Sequence, residues 1–244
     1  MIEITLFGDE NLDGYTLVEC FPGAGLVGPM AGSYIVEKLK MEYVGYIHSD
    51  AFPPIAAIHN STPMFPSRIY KDEKYKLVLL ISEFTIPSEV VYQLGMEVLS
   101  FARKNRVSRI ISINGMPAQK LTETVYVTSS DSAMLKKAAS MDMKPIKEGV
   151  VAGVSAMLLT NSHLFEISAV NILVEVNPSI MDPKYAEIAL RGLNELISIN
   201  IDLNELDKEA KIVEEKIRTM LKKVKESPEH YKNATEAAGP SMYA

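Results

Sequence analysis

Up to residue 201, short apolar runs alternate with longer amphipathic ones. Seven runs rich in Val, Ile, Leu and Tyr predict β-strands, at residues 2–7, 15–21, 42–48, 76–81, 109–113, 123–127 and 169–176. Five amphipathic runs predict helices, at residues 29–39, 88–104, 130–139, 150–160 and 183–197. Some strand runs are apolar almost throughout, as in strands covered by helices on both faces; these are 76–81, 109–113 and 169–176. The pattern predicts an α/β sandwich with a mostly parallel or mixed sheet.

A different pattern begins near Asp202, where apolar residues recur at alternating spacings of three and four. This is the heptad seam of a coiled-coil helix, and it includes Leu206, Val213, Ile217, Met220 and Val224. The helix either packs on its own domain or pairs between subunits. Proline cannot continue it beyond Ser227, and the polar remainder predicts a flexible tether. We therefore predict an α/β core domain (1–201), an amphipathic helix (202–226) and a flexible tail (227–244).

Composition narrows the classes of partner. The chain has 244 residues, of which 47% are hydrophobic and 23% charged, as in a soluble globular protein. No apolar run approaches the roughly 18 residues that would span a membrane, and no secretory signal is visible. We therefore expect a cytoplasmic protein. The net charge is −6 and no basic stripe occurs, so nucleic acid is not an expected partner.

Catalytic and metal motifs are missing from the sequence. The four histidines are scattered without the spacing of metal ligands. Neither a G-x-x-x-x-G-K-[ST] phosphate loop nor a G-x-S-x-G nucleophile elbow occurs. We expect no catalytic residue, no bound metal and no cofactor.

A glycine-rich loop follows the predicted strand at 15–21. Gly23, Gly25 and Gly28 spell G-x-G-x-x-G before a helix, which is the slot of a dinucleotide fingerprint, and Asp50 is a candidate for its acidic residue. Close packing of strand against helix explains the glycines as well. Packing is the favoured interpretation, because the prolines that flank the motif remove donors that a phosphate would need.

A small-ligand site remains possible at the carboxyl ends of the strands, where open α/β sheets usually bind ligands. The candidate pocket residues are Gly23, Gly25, Gly28, Glu83, Asn114 and Gly115, and Glu175 and Asn177 also follow strands. Such polar side chains more often cap helices.

With its flanks the loop reads Phe-Pro-Gly-x-Gly-x-Val-Gly-Pro-x-Ala, which resembles the opening signature of the archaeal branch of the proteasome-assembly-chaperone family, of the chaperone-two type. Further similar segments follow in the expected order, at residues 52–54, 66–70, 114–115, 149–159, 182–186 and 201–206. The resemblance covers roughly residues 15–225. It implies a three-layer α/β sandwich of the nucleoside-phosphorylase type, without phosphorylase activity, and self-association into a homo-oligomer. Relatives have been labelled ATP-grasp ligases, but no cluster here combines phosphate contacts with magnesium carboxylates.

The sequence ends in Met242, Tyr243 and Ala244. A hydrophobic residue, a tyrosine and any last residue form the tail that, in proteins of this resemblance, inserts between α subunits of the proteasome core. The expected function is therefore a non-enzymatic proteasome assembly chaperone or activator that docks on the core α ring. The alternative is a small-molecule enzyme or binding protein, of a nucleotide-binding type, that uses the strand-end site near the glycine loop.

Overall fold

The computed structural model describes residues 1–204 and Leu206. In this part of the chain nine strands form one mixed sheet, in the order β1-β3-β6-β7-β2-β8-β11-β9-β10. Their bounds are β1 (Ile2–Leu6), β2 (Thr16–Cys20), β3 (Glu42–Ser49), β6 (Ser67–Asp72), β7 (Leu77–Ser82), β8 (Arg109–Pro117), β9 (Val125–Ser129), β10 (Lys144–Pro145) and β11 (Ser168–Val176). A separate hairpin is made of β4 (Ala57–His59) and β5 (Thr62–Met64). The hairpin lies in the proline-rich stretch at 51–66.

The centre of the sheet is parallel and its flanks are antiparallel. Strands β7, β2, β8 and β11 run parallel to one another, and the short edge strand β10 is parallel to β9. Strands β1, β3 and β6 pair antiparallel on one side, and β9 pairs antiparallel with β11 on the other. The carboxyl ends of β2, β8 and β11 therefore meet at one edge of the sheet.

Helices cover both faces, as the apolar strand runs require. The five α-helices are α1 (Val27–Leu39), α2 (Val91–Lys104), α3 (Ser132–Ala139), α4 (Val154–Asn161) and α5 (Pro183–Ile197). Buried side chains of α1, α3 and α5 share one hydrophobic core, and those of α2 and α4 share a second core on the opposite face. The molecule is thus a three-layer α/β sandwich, and the predicted fold class is confirmed.

Helix α5 shows why several elements could be predicted. Asp182 accepts a hydrogen bond from the backbone N–H of Lys184 at 2.9 Å, and Pro183 fills the first helical position. The helix spans the predicted residues, 183–197.

Helix α4 begins four residues later than its pattern predicts. Its N-cap, Gly153, has φ +80°, a left-handed conformation that stops the helix from extending backwards. Val150 is 96% exposed in the preceding loop rather than packed on a helix face. A backbone requirement has overridden the apolar pattern here.

Beyond α5 the chain returns to the face of α1 and α5. Both polar atoms of the Asn194 side chain bond the backbone of Ile201, at 2.9 and 3.0 Å. The Tyr34 hydroxyl donates to the carbonyl of Asp202 at 2.5 Å. Leu206, the first of the proposed oligomer-helix residues, is 1% exposed and belongs to the core on this face. It therefore packs on its own domain.

Candidate functional site

A row of polar side chains crosses the centre of the sheet. Glu19 on β2 is in register with Ser112 on β8, which is in register with Asn171 on β11, which pairs with Thr128 on β9. Residues in register point to the same face of a sheet. Leu17, two positions before Glu19, belongs to the α2–α4 core. The polar row therefore lies on the α2–α4 face, in an otherwise apolar layer.

Glu19 is a buried carboxyl group that is only partly satisfied. It is 2% exposed, and its Oε1 accepts a hydrogen bond from the backbone N–H of Phe21 at 2.9 Å. Its second oxygen, Oε2, has no hydrogen-bond partner among the described residues. Burial raises the pKa of Glu19 to about 7, although the nearby Ser112 hydroxyl and the Phe21 N–H oppose the shift. This carboxyl can therefore exchange a proton near neutral pH.

Asn171 also has an unpaired atom, but in its case the atom is a hydrogen-bond donor. It is fully buried, and its Oδ1 accepts a hydrogen bond from the Asn114 Nδ2 at 3.0 Å. Its own Nδ2 has no partner in the described part of the chain. An unpaired acceptor and an unpaired donor therefore lie in one polar row.

A cavity of about 600 Å³ opens above this row. Glu19, Asn114 and Asn171 contribute polar surface, and the apolar lining includes Phe21, Leu173 and Val154. Two chain segments contribute to its walls, residues 21–24 after β2 and residues 146–155, which run into the first turn of α4. Both segments are glycine-containing, and the tertiary structure brings them together around one space.

The predicted pocket residues divide into those that line the cavity and those that pack the loop. Gly23, Asn114 and Gly115 line it. Gly25, with φ +65°, lies against Val176. A Cβ added at Gly28 would lie 2.8 Å from the Phe21 carbonyl oxygen and 2.9 Å from that of Ile113. Close backbone packing therefore accounts for the last two glycines of the motif.

Glu83, also a predicted pocket residue, does not line the cavity. It forms an ion pair with Arg68, and His59 Nε2 lies within hydrogen-bonding distance of Glu83 Oε1, at 2.6 Å. Burial alone would raise the pKa of Glu83, but the His59 hydrogen bond and the Arg68 charge outweigh it and hold the pKa below its ordinary value. This carboxylate belongs to a buried ion-pair cluster.

The other strand-end candidates have local partners. Glu175 accepts hydrogen bonds from the Tyr126 hydroxyl at 2.7 Å and from Thr122, and the Asn177 side chain accepts from the backbone N–H of Ser179 at 3.0 Å. Asp50 pairs with the amino group of Met1 at 2.7 Å. None of the three lines the cavity.

Sequence reasoning missed Glu19 and Asn171, the two cavity-lining residues that have unpaired atoms. A signal was present, because each is a polar side chain between two buried apolar neighbours in a strand: Glu19 on β2 and Asn171 on β11. Among the residues that the structure describes, no cluster of His, Cys, Asp and Glu could hold a metal ion. Over the same residues, no helix has the length and apolarity to cross a bilayer.

Comparison with known proteins identifies the family of this chain. A model of the PAC2 family matches residues 17–221. The chain belongs to the PAC2 family. The uncharacterized protein MJ0106 of Methanocaldococcus jannaschii is 29% identical over 209 residues, which make up 84% of each chain.

Solved structures agree with this assignment. The crystal structure of Pyrococcus furiosus PbaA, described as an archaeal homolog of proteasome-assembly chaperone, superposes with a TM-score of 0.83 at 25% identity, covering 93% of this chain and 100% of that one. Pyrococcus furiosus PbaB, described as an archaeal proteasome activator, gives a TM-score of 0.75 at 20% identity, covering 89% and 98%. The family prediction is confirmed. The proposed docking residues, Met242 to Ala244, and the seam beyond Leu206 lie outside the described residues.

Proposed function

We propose that the protein is a non-enzymatic proteasome assembly chaperone or activator that works without a bound nucleotide. The observation that carries this proposal is membership of the PAC2 family over residues 17–221. Its similarity over nearly the whole of PbaA, a homolog of proteasome-assembly chaperone, supports the same role. The packed glycines Gly25 and Gly28 also favour a structural loop over a phosphate site.

Docking would use Met242, Tyr243 and Ala244, inserted into the groove between neighbouring α subunits of a proteasome core. Tyrosine offers a large ring with few rotatable bonds, and methionine adds an adaptable apolar contact. The terminal carboxylate would pair with a lysine of the groove. One such tail binds weakly, but several tails on one oligomer would raise the avidity by about 10²- to 10⁴-fold.

The test is a pull-down of an archaeal proteasome core by the protein and its variants. Tyr243→Ala should abolish binding, and extra residues added after Ala244 should do the same because they displace the carboxylate. Tyr243→Phe should weaken binding by about fivefold, equivalent to one hydrogen bond of about 1 kcal/mol. Ser241→Ala, just outside the tripeptide, is the matched control. Unchanged binding after deletion of the last three residues would refute tail docking.

Self-association would make that avidity available. We propose that the heptad seam beyond Leu206 pairs between subunits, whereas Leu206 itself packs on its own domain. Ile217→Asp would bury an unpaired charge in such a seam, and we expect a smaller folded species in size-exclusion chromatography. Thr219→Asp adds the same charge off the seam and should keep the native size. If Ile217→Asp also keeps the native size, the seam does not join subunits.

A further inference from the structure

The cavity over the polar row has the properties of a built ligand site. Buried polar groups in native proteins are nearly always paired, and the exceptions call for an explanation. Here Glu19 and Asn171, 2% and 0% exposed, each keep one unpaired atom in a cavity of about 600 Å³. The cavity lies at the carboxyl ends of parallel strands, where α/β sheets bind ligands. Apolar surface with a few convergent polar groups is the usual composition of such a site.

The two side chains converge over β8. Glu19 reaches Ser112 from the β2 side, and Asn171 bonds Asn114 from the β11 side. Asn114 lines the cavity together with Glu19 and Asn171, so the space for a ligand lies over this part of β8. A single small molecule could therefore meet the Glu19 oxygen and the Asn171 amide together.

The charge of the side chains that line the cavity favours a positively charged ligand. The charged groups that line the cavity are Glu19, Lys147 and Glu148. Lys147 and Glu148 are exposed and of opposite sign, so they leave little net charge at the mouth. Glu19 alone is buried, and no charged neighbour contributes to its pKa. Its carboxylate is thus desolvated without a counter-charge, which a positively charged N–H donor would supply.

We propose that this cavity binds a small organic cation of the amine, amidine or guanidine class. Its N–H groups donate to Glu19 Oε2, an oxygen elsewhere in the same molecule accepts from the Asn171 amide, and its apolar body lies against Phe21 and Leu173. The segment at 146–155 forms the outer wall. None of the lining residues belongs to the proposed docking tripeptide, so this proposal and proteasome docking are tested by different variants.

Three ligands of one shape test the charge requirement on the unmodified protein. Benzamidine is a cation, benzamide is its neutral isostere and benzoate is the anion. At pH 8, titrations followed by ¹⁵N–¹H NMR should show benzamidine binding tightest and benzoate weakest, with shifts at the backbone amides of Gly23 and Gly115. No benzamidine binding at millimolar concentration would overturn the proposal, as would benzoate binding that equals it.

Variants and pH locate the charge. Glu19→Gln should weaken benzamidine by at least about tenfold at pH 8 and leave benzamide within about twofold. Glu37→Gln, the same change at an exposed position of α1 on the other face of the sheet, should leave both unchanged. Between pH 8 and pH 6 the ionised fraction of a carboxyl with pKa about 7 falls about tenfold, and benzamidine affinity should fall with it in the wild type but not in Glu19→Gln. A pH profile shared by both proteins would overturn the assignment to Glu19.

Discussion

Glu19 should make the protein less stable as pH rises, and replacing it should remove that cost. In the folded protein the pKa of this carboxyl is about 7, against an ordinary value of 4.5. The unfolded chain therefore releases a proton above pH 4.5 that the folded chain keeps until about pH 7. Because the unfolded state binds fewer protons in this range, the free energy of unfolding falls as pH rises.

The size of the effect follows from those two values. Each pH unit between them costs about 1.4 kcal/mol, so the full loss is about 3 kcal/mol by pH 8. Glu19→Gln keeps an oxygen that can accept from Phe21 N–H and carries no ionisable proton. The quantity to compare is the free energy of unfolding of Glu19→Gln minus that of the wild type. We expect this difference to increase by about 3 kcal/mol between pH 4.5 and pH 8.

Urea unfolding of both proteins across pH 4.5 to 8 measures this difference, and carboxyls common to both cancel in it. Glu37→Gln, at an exposed position of α1, controls for the loss of one negative charge. A stability difference that does not change with pH would refute the reasoning, since it would mean that Glu19 ionises alike in the folded and unfolded chain.

The remaining predictions concern packing and the ion-pair cluster. Gly115→Ala should unfold the protein or destabilise it by more than about 2 kcal/mol, because its Cβ would lie 2.1 Å from the Ala24 carbonyl oxygen, whereas Gly8→Ala, with no atom within 4 Å, should be near neutral in thermal unfolding. Glu83→Gln should cost about 3 to 5 kcal/mol in urea at pH 7 by leaving Arg68 buried without a counter-charge. Since the folded pKa of Glu83 is lowered, its contribution is present above pH 4.5 and is lost as pH falls through that folded pKa; a pH-independent loss would contradict this.

Local chemistry let the sequence determine most of the elements. Apolar runs of strand length predicted β2, β7, β8 and β11 to within a few residues, because a strand buried on both faces has apolar side chains at nearly every position. The aspartate and proline at the start of α5 determined its first turn in the same way. The loop around Gly23 gave the family, since strand, glycines and helix are contiguous in the chain.

Partners far apart in the chain were decided only by tertiary structure. Glu19, Ser112 and Asn171 become one polar row through the register of β2, β8 and β11, and register between parallel strands depends on crossovers rather than on local pattern. Glu83 follows the end of β7 as predicted, but it forms an ion pair with Arg68 on the neighbouring strand β6 and does not line the cavity. The sequence thus predicted the strand-end edge at which the cavity lies. Which side chains reach the cavity there depends on strand pairing, because burial and hydrogen-bond satisfaction are properties of the assembled sheet.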